Sequence, residues 1–347
     1  MVNPLRISGV MTTALAACSA FAADPAGWSK VPSIPDKEGF ASMFAGVSGG
    51  ALLAAGGANF PDKKPWEGGR KTWHDTVFVL KKPDGAWKVA GRLPRPLGYG
   101  VGVTHADGVV CVGGSDADGH RAECFRLEWR DGKLDMKPLP PLPRGVANMS
   151  GALLGDMLYI AGGILKPDST STLKTFHGLD LAAKQPAWRE LEPWPGPARM
   201  LAVAAVQDGS FFLVSGADLS AGPDGRPVRT YLKDGHRFTP GKGWKRIADL
   251  PRAAVAAPSP APTFGRTQFL VVSGDDAGQL AVAPTEHKGF PKSVLAYDAR
   301  ADRWTEAAPA PAPRVTVPTV QWNGAWLVVS GEQKPGIRSP EVWRWRP

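Results

Sequence analysis

Cysteine and tyrosine are scarce in this 347-residue chain, at three and four residues. No Cys/His spacing matches a zinc site. No run of five or more Lys or Arg forms the basic tract that nucleic-acid binding would use. No long amphipathic helix, heptad seam or low-complexity tract is present, which excludes a helical bundle or coiled coil. What the chain does have is 41 Gly, 34 Pro and 13 Trp. That mixture suits many short strands joined by turns, with aromatic residues recurring once per unit.

Residues 1–22 read as an export segment. Arg6 gives the positive start, Ile7 to Ala17 is an apolar run too short to span a bilayer, and Ala20-Phe21-Ala22 is an A-x-A cleavage site. A competing lipobox, Leu15-Ala16-Ala17-Cys18, would make Cys18 a lipid anchor. Both place the protein outside the cytoplasm, periplasmic or secreted, with membrane attachment only if Cys18 is lipidated. Removing this segment takes one Arg from the net charge of +9 and leaves +8. The positives are scattered, as on a solvated basic surface. Cys111 and Cys124 fall on strands expected to be neighbours, where they either pair or remain two buried thiols.

Six times a short apolar strand runs into a doublet ending in glycine: Gly56-Gly57, Gly113-Gly114, Gly162-Gly163, Ser215-Gly216, Ser273-Gly274 and Ser330-Gly331. The period of 49–58 residues is that of a propeller or array. Turn pairs such as Asp107-Gly108, Asp208-Gly209 and Asn323-Gly324 precede the doublet strand, and Trp87, Trp188, Trp244 and Trp304 open a fourth strand. Four strands in each of six units predict an all-β fold, a six-bladed β-propeller over residues 24–347. The last unit lacks its fourth strand, which the segment around Trp28 supplies, so the N-terminal strand should close the ring. The doublet glycines are expected to take positive φ or to meet another backbone closely. Arg144, Arg199, Arg252 and Arg314, before each first strand, are expected to pair between blades.

Alternating strand direction puts the loops between second and third strands on one face. These are Ala58–Thr76, Ser115–Glu123, Ile164–Thr175, Ala217–Thr230, Asp275–Ser293 and Glu332–Pro340. Function concentrates on such loops over a rigid scaffold. Three stand out. "GGANFPDKKPWEGGRKTWHD" carries Asn59, Asp62, Trp66, Arg70, Lys71, Trp73 and His74. "GDDAGQLAVAPTEHKGFPKSVLAYD" carries Glu286, His287 and Lys288. "SGEQKPGIRSPEVW" carries Glu332, Lys334 and Arg338. Glu332 beside two cations is either a base or a salt bridge. Trp66 and Trp73 either stack on a sugar or pack their loop, and His74 and His287 are either acids or hydrogen-bonded supports.

The doublets and spaced Trp resemble the kelch-repeat family. The three loop segments resemble, more narrowly, the N-acetylneuraminate epimerase (sialic acid mutarotase) family in a cyclically permuted form. That resemblance implies a sugar mutarotase interconverting α and β anomers of N-acetylneuraminic acid. Its proton acceptor, in a Gly-Glu-x-Lys-Pro-Gly-x-Arg segment, is matched by Glu332, and the motif's arginine by Arg338. The loop "ADLSAGPDGRPVRT" has no counterpart. Mutarotation needs a base at the anomeric hydroxyl and an acid at the ring oxygen. Glu332 is the base; the acid is His287, His74, Lys71 or a water. Arg338, or secondarily Arg70, would clamp the substrate carboxylate. Asn59, Asp62, Trp66, Arg70, Lys71, His74 and Lys334 are the substrate-binding candidates. No metal or redox cofactor, nucleic acid or stable protein partner is implied. The rivals are a non-catalytic kelch module binding glycan or protein, and a mutarotase of another sugar acid. A radical-copper oxidase, which would need a Tyr/His copper set and a Cys–Tyr crosslink, is disfavoured by the four Tyr and the lack of a convincing Cys partner.

Overall fold

The computed structural model describes Met1 and residues 27–347; the expected export segment and Cys18 lie outside the described residues. Six four-stranded antiparallel sheets form a six-bladed β-propeller. Each blade holds a doublet strand flanked by its hairpin partner and by the third strand; in blade one these are Ala51–Ala55, Phe44–Ser48 and Thr76–Leu80. Among the described residues the only helical element is the short 3-10 turn Pro65–Glu67.

The ring closes as expected. Trp28–Val31 pairs with Val342–Trp345, Trp28 opposite Trp345 and Val31 opposite Val342. One apolar cluster fills each joint between neighbouring blades. The closing joint buries Val31, Ile34, Leu52, Leu80, Leu327 and Val342. The joint between blades four and five buries Val203, Phe212, Phe269 and Tyr297. Alternation along a strand sends successive side chains to opposite faces, so each doublet strand feeds two joints at once. This explains their near-continuous apolar sequence.

The recurring Trp has two tasks. Its ring packs in or against a joint, and its indole N–H donates to a connector carbonyl of the preceding blade. Trp87 bonds to Pro32 at 2.7 Å, Trp188 to Pro140 at 2.9 Å, Trp244 to Glu192 at 2.8 Å and Trp304 to Ala248 at 2.9 Å. Cys111 and Cys124 are both free thiols. Cys124 stands opposite Val112, the neighbour of Cys111, so the two sulfurs face opposite sides of the blade and different joints.

Three local expectations change. The segment Ser115–Glu123 is not a loop: strands Gly108–Asp116 and Gly119–Arg130 run on and meet in a short turn. Ala217–Thr230 is mostly a two-stranded ribbon, Ala217–Ala221 against Pro227–Tyr231. The side chains of Arg199, Arg252 and Arg314 bond within the blade that each leads into rather than between blades, to Ser215 and Asp234, to Ser273 and Ser293, and to Ser339 and Glu341, and Arg144 is exposed.

Candidate active site

The long-loop face encloses a cavity of about 580 Å³ on the propeller axis, with walls from all six blades. Its floor is a closed ring of backbone hydrogen bonds. Ser42, Tyr99, Asn148, Leu201, Ala256 and Thr316 each donate their N–H to the carbonyl of the corresponding residue in the preceding blade, at 2.6–3.1 Å. All six take left-handed backbone, with φ of 51–62°. That region is unfavourable for residues with a Cβ and persists only where surroundings over-determine it; here the closed ring does so.

The residue before each ring member forms an antiparallel bridge with the residue after each doublet. The bridges are Ala41 to Ala58, Gly98 to Ser115, Ala147 to Ile164, Met200 to Ala217, Val255 to Asp275 and Val315 to Glu332. Glu332 therefore stands on a position that every blade repeats. It starts a small hairpin, Glu332–Lys334 against Ile337–Arg338, in which Glu332 faces Arg338. One carboxylate oxygen, Oε1, accepts the Gly336 N–H at 2.7 Å and lies 3.4 Å from Arg338 Nη1. Arg338 is buried, with its guanidinium 4.7 Å from the Phe60 ring centroid. Its Nε and Nη1 make no hydrogen bond and are shielded from solvent. Both Glu332 and Arg338 line the cavity.

The three loops singled out in the sequence converge on this hairpin. From blade one, Pro65 and Trp66 cover the Gly336 turn; a Cβ there would lie 2.9 Å from Trp66 Cζ3 and 3.1 Å from Pro65. From blade five, Phe290 donates its N–H to the Gln333 carbonyl at 3.0 Å.

Lys71 and Trp73 are the other expected residues on the cavity wall, the Lys71 Nζ lying 4.9 Å from the Tyr99 ring and 5.5 Å from the Trp73 ring. The rest stand off that wall. His287 is buried, accepts the Gly289 N–H on Nδ1 at 3.0 Å and packs edge-on against Phe290. His74 Nε2 meets Asn59 Oδ1 at 2.8 Å under Phe40, and Asn59 Nδ2 donates to Asp36 at 3.4 Å. Burial holds the His74 imidazole below its ordinary pKa, against the opposing pull of Asp36 and Asp75. Asp62 and Arg70 are exposed, and Lys334 is half-buried on the hairpin.

Other lining groups carry no motif. His120 has both ring nitrogens shielded and without hydrogen-bond partners, and burial lowers its pKa. Asp116 is gripped by Arg121 through two bonds of 2.6 and 2.7 Å. Burial alone would raise that carboxyl, but Arg121 and the N–H groups of Asp118 and Gly119 hold it below the usual range. Asp275 and Arg229 also face the cavity. Asp275 had a signal in the sequence, since it follows Ser273-Gly274 as Glu332 follows Ser330-Gly331.

A family model described as N-acetylneuraminate epimerase matches residues 6–136. The chain is similar to the N-acetylneuraminate epimerases. The relative from Yersinia pestis (strain Pestoides F) is 38% identical over 113 residues, covering 29% of this chain and 28% of that protein. The relative from Brucella suis is 41% identical over 122 residues, covering 30% and 31%; the one from Brucella melitensis gives the same figures. The aligned part thus spans less than a third of the length of these epimerases. The family-model match includes the blade-one loop with Lys71 and stops before the Glu332 hairpin.

Proposed function

We propose that this chain is an exported kelch-type mutarotase that interconverts the α and β anomers of N-acetylneuraminic acid. The observation that carries the reading is the Glu332–Arg338 pair on the wall of an axial cavity of about 580 Å³. That volume is in the range of small-molecule sites, about 300–1,000 Å³. The names of the partial relatives point to the same chemistry.

In this reading Glu332 takes the proton of the anomeric hydroxyl. The electron pair left on that oxygen forms the carbonyl as the bond to the ring oxygen breaks, and the ring oxygen receives a proton. Rotation about the bond to the carbonyl carbon presents its other face. The hydroxyl then re-adds, giving its proton back to the acid, while Glu332 returns its proton to the former carbonyl oxygen. Arg338 holds the carboxylate on the anomeric carbon through a planar two-point contact, and the Phe60 face keeps the guanidinium in place. Lys71, alone among the side chains considered as the acid, lines the cavity and supplies the ring-oxygen proton. Export through residues 1–22 would place the reaction in the periplasm, where free sugar arrives from outside.

The test follows α-N-acetylneuraminic acid, freshly released from a glycoside, by proton NMR. With the protein present the α signal should relax to the β equilibrium faster than in buffer. Relaxation at the buffer rate would replace the enzyme with a non-catalytic module, binding glycan if the sugar binds and protein if it does not.

A further inference from the structure

The bridge position that Glu332 occupies is filled in the other blades by Ala58, Ser115, Ile164, Ala217 and Asp275. Only two of the six are acids, and they stand in adjacent blades. Asp275 has the same backbone bonds to its neighbour as Glu332: its N–H and carbonyl both exchange with Val255 at 2.9 Å. It lines the same cavity. Its surroundings differ. Where Glu332 meets a guanidinium, Asp275 meets a phenol. Tyr231, at the root of the blade-four ribbon, donates its hydroxyl to Oδ2 at 2.6 Å, and the Ala277 N–H reaches Oδ1 at 3.0 Å. Burial, and then the Asp275 carboxylate, keep the Tyr231 phenol protonated far above neutral pH, so it acts as a fixed donor.

A carboxylate has about four acceptor sites. Two are taken here, and two remain for donors from the cavity. Sugar hydroxyls are such donors. Asp275 sits one blade round the axis from Glu332, so it meets a bound sugar away from the carbon that Glu332 and Arg338 hold. In a sialic acid the densest group of hydroxyls away from the anomeric carbon is the three-carbon tail.

We propose that Asp275 is a specificity-determining residue that accepts hydrogen bonds from the hydroxylated tail of the substrate, with Tyr231 as its positioning residue. This rests on the sialic acid reading for the identity of the sugar. The two carboxylates then divide the work: Glu332 handles a proton, while Asp275 reads hydroxyls and leaves the chemistry alone.

The experiment measures anomer exchange by NMR on the mature chain with two sugars, N-acetylneuraminic acid and its analogue with the tail shortened by periodate cleavage and borohydride reduction. Asp275→Asn should raise KM for the intact sugar about tenfold or more, the effect of weakening hydrogen bonds to a charged acceptor. It should change KM for the shortened sugar by less than about twofold and leave kcat close to wild type for both. Tyr231→Phe keeps the ring and removes the donor; it should shift KM the same way by roughly threefold, again for the intact sugar only. A merely structural role would move both sugars together. Equal changes for the two sugars, a loss confined to kcat, or no change would overturn the proposal. Should the wild-type chain leave the anomers at their spontaneous rate, the mutarotase reading falls by itself. Calorimetric titration of both sugars into wild type and Asp275→Asn then decides the hydroxyl site: selective weakening for the intact sugar supports it, and absent or unselective binding overturns it.

Discussion

Blades one to three and blades four to six close the same joint with opposite hydrogen-bond polarity. In the first half the doublet is Gly-Gly, and its second N–H donates to the next connector's carbonyl: Gly57 to Leu97 at 2.8 Å, Gly114 to Val146 at 2.9 Å and Gly163 to Arg199 at 2.9 Å. In the second half the doublet is Ser-Gly, and the serine hydroxyl accepts the connector's N–H: Ser215 from Ala254 at 2.8 Å, Ser273 from Arg314 at 2.9 Å and Ser330 from Phe40 at 2.8 Å. Blade six adds a bond of the first kind, Gly331 to Phe40. The first doublet residue is left-handed throughout, φ 55–69°. What differs is the neighbour. Where a carbonyl oxygen crowds the position, as Leu97 does at Gly56 and Arg199 at Gly162, no Cβ fits. Where an N–H points in, a hydroxyl is useful enough to offset the left-handed strain.

The comparison bears on the site. Both acids on the repeated bridge position, Asp275 and Glu332, follow Ser-Gly doublets. Ser330 also donates to the Ser339 carbonyl at 2.8 Å, so one hydroxyl ties the Glu332 hairpin to the ring closure. The half built with side-chain joints is the half that holds both carboxylates of the bridge position.

Substitution at the joints would break or sharpen this contrast. Gly162→Ala should be the most damaging, destabilising by about 3 kcal/mol, because its Cβ meets the Arg199 carbonyl in a strained backbone region. The reciprocal Ser215→Gly should cost roughly 1 kcal/mol or less, since lost hydrogen bonds are partly offset by relief of left-handed strain. Denaturant midpoints measure both, and equal costs would erase the distinction. Ser330→Ala lies between them, at about 1–3 kcal/mol, because a buried Phe40 N–H loses its acceptor.

The gentlest effect appears only on acidification. Beside the buried Arg199–Asp234 pair, His236 has its pKa lowered to about 4, first by burial and then by the Arg199 charge. From 6.5, its ordinary value, down to about 4, the unfolded chain binds a proton that the folded chain refuses. Stability should therefore fall as pH drops through that window, and be indifferent to His236 at neutral pH. His236→Gln should flatten this dependence in urea titrations run at pH 4–7; an unchanged slope would remove His236 as its source.

The architecture was legible because its signals are local and repeated: turn pairs, doublets and the Trp that opens most fourth strands. The second residue of every doublet has φ of 89–113°, which glycine alone takes readily, so the repeat survives in the letters. The floor of the cavity left no such trace. Ser42, Tyr99, Asn148, Leu201, Ala256 and Thr316 share a conformation but no chemistry, because a ring of backbone bonds imposes it. The site was half legible. Glu332 and Arg338 stand together as their motif suggested, whereas His74 and His287 belong to the supports of the loops around them. Asp275 and its phenol meet through a ribbon and a loop 44 residues apart, a distance that no motif spans.

The central claim is that the Glu332 carboxylate moves the proton in sugar ring opening. Anomer exchange of N-acetylneuraminic acid by NMR, at saturating sugar, with Glu332→Gln beside wild type, tests it most directly. Glutamine keeps the size and the acceptor for Gly336 while removing the base. The account predicts that kcat falls by roughly 10²–10⁴, the share of one acid–base group, with folding unchanged by thermal melt. Exchange at the wild-type rate in the folded variant would contradict it.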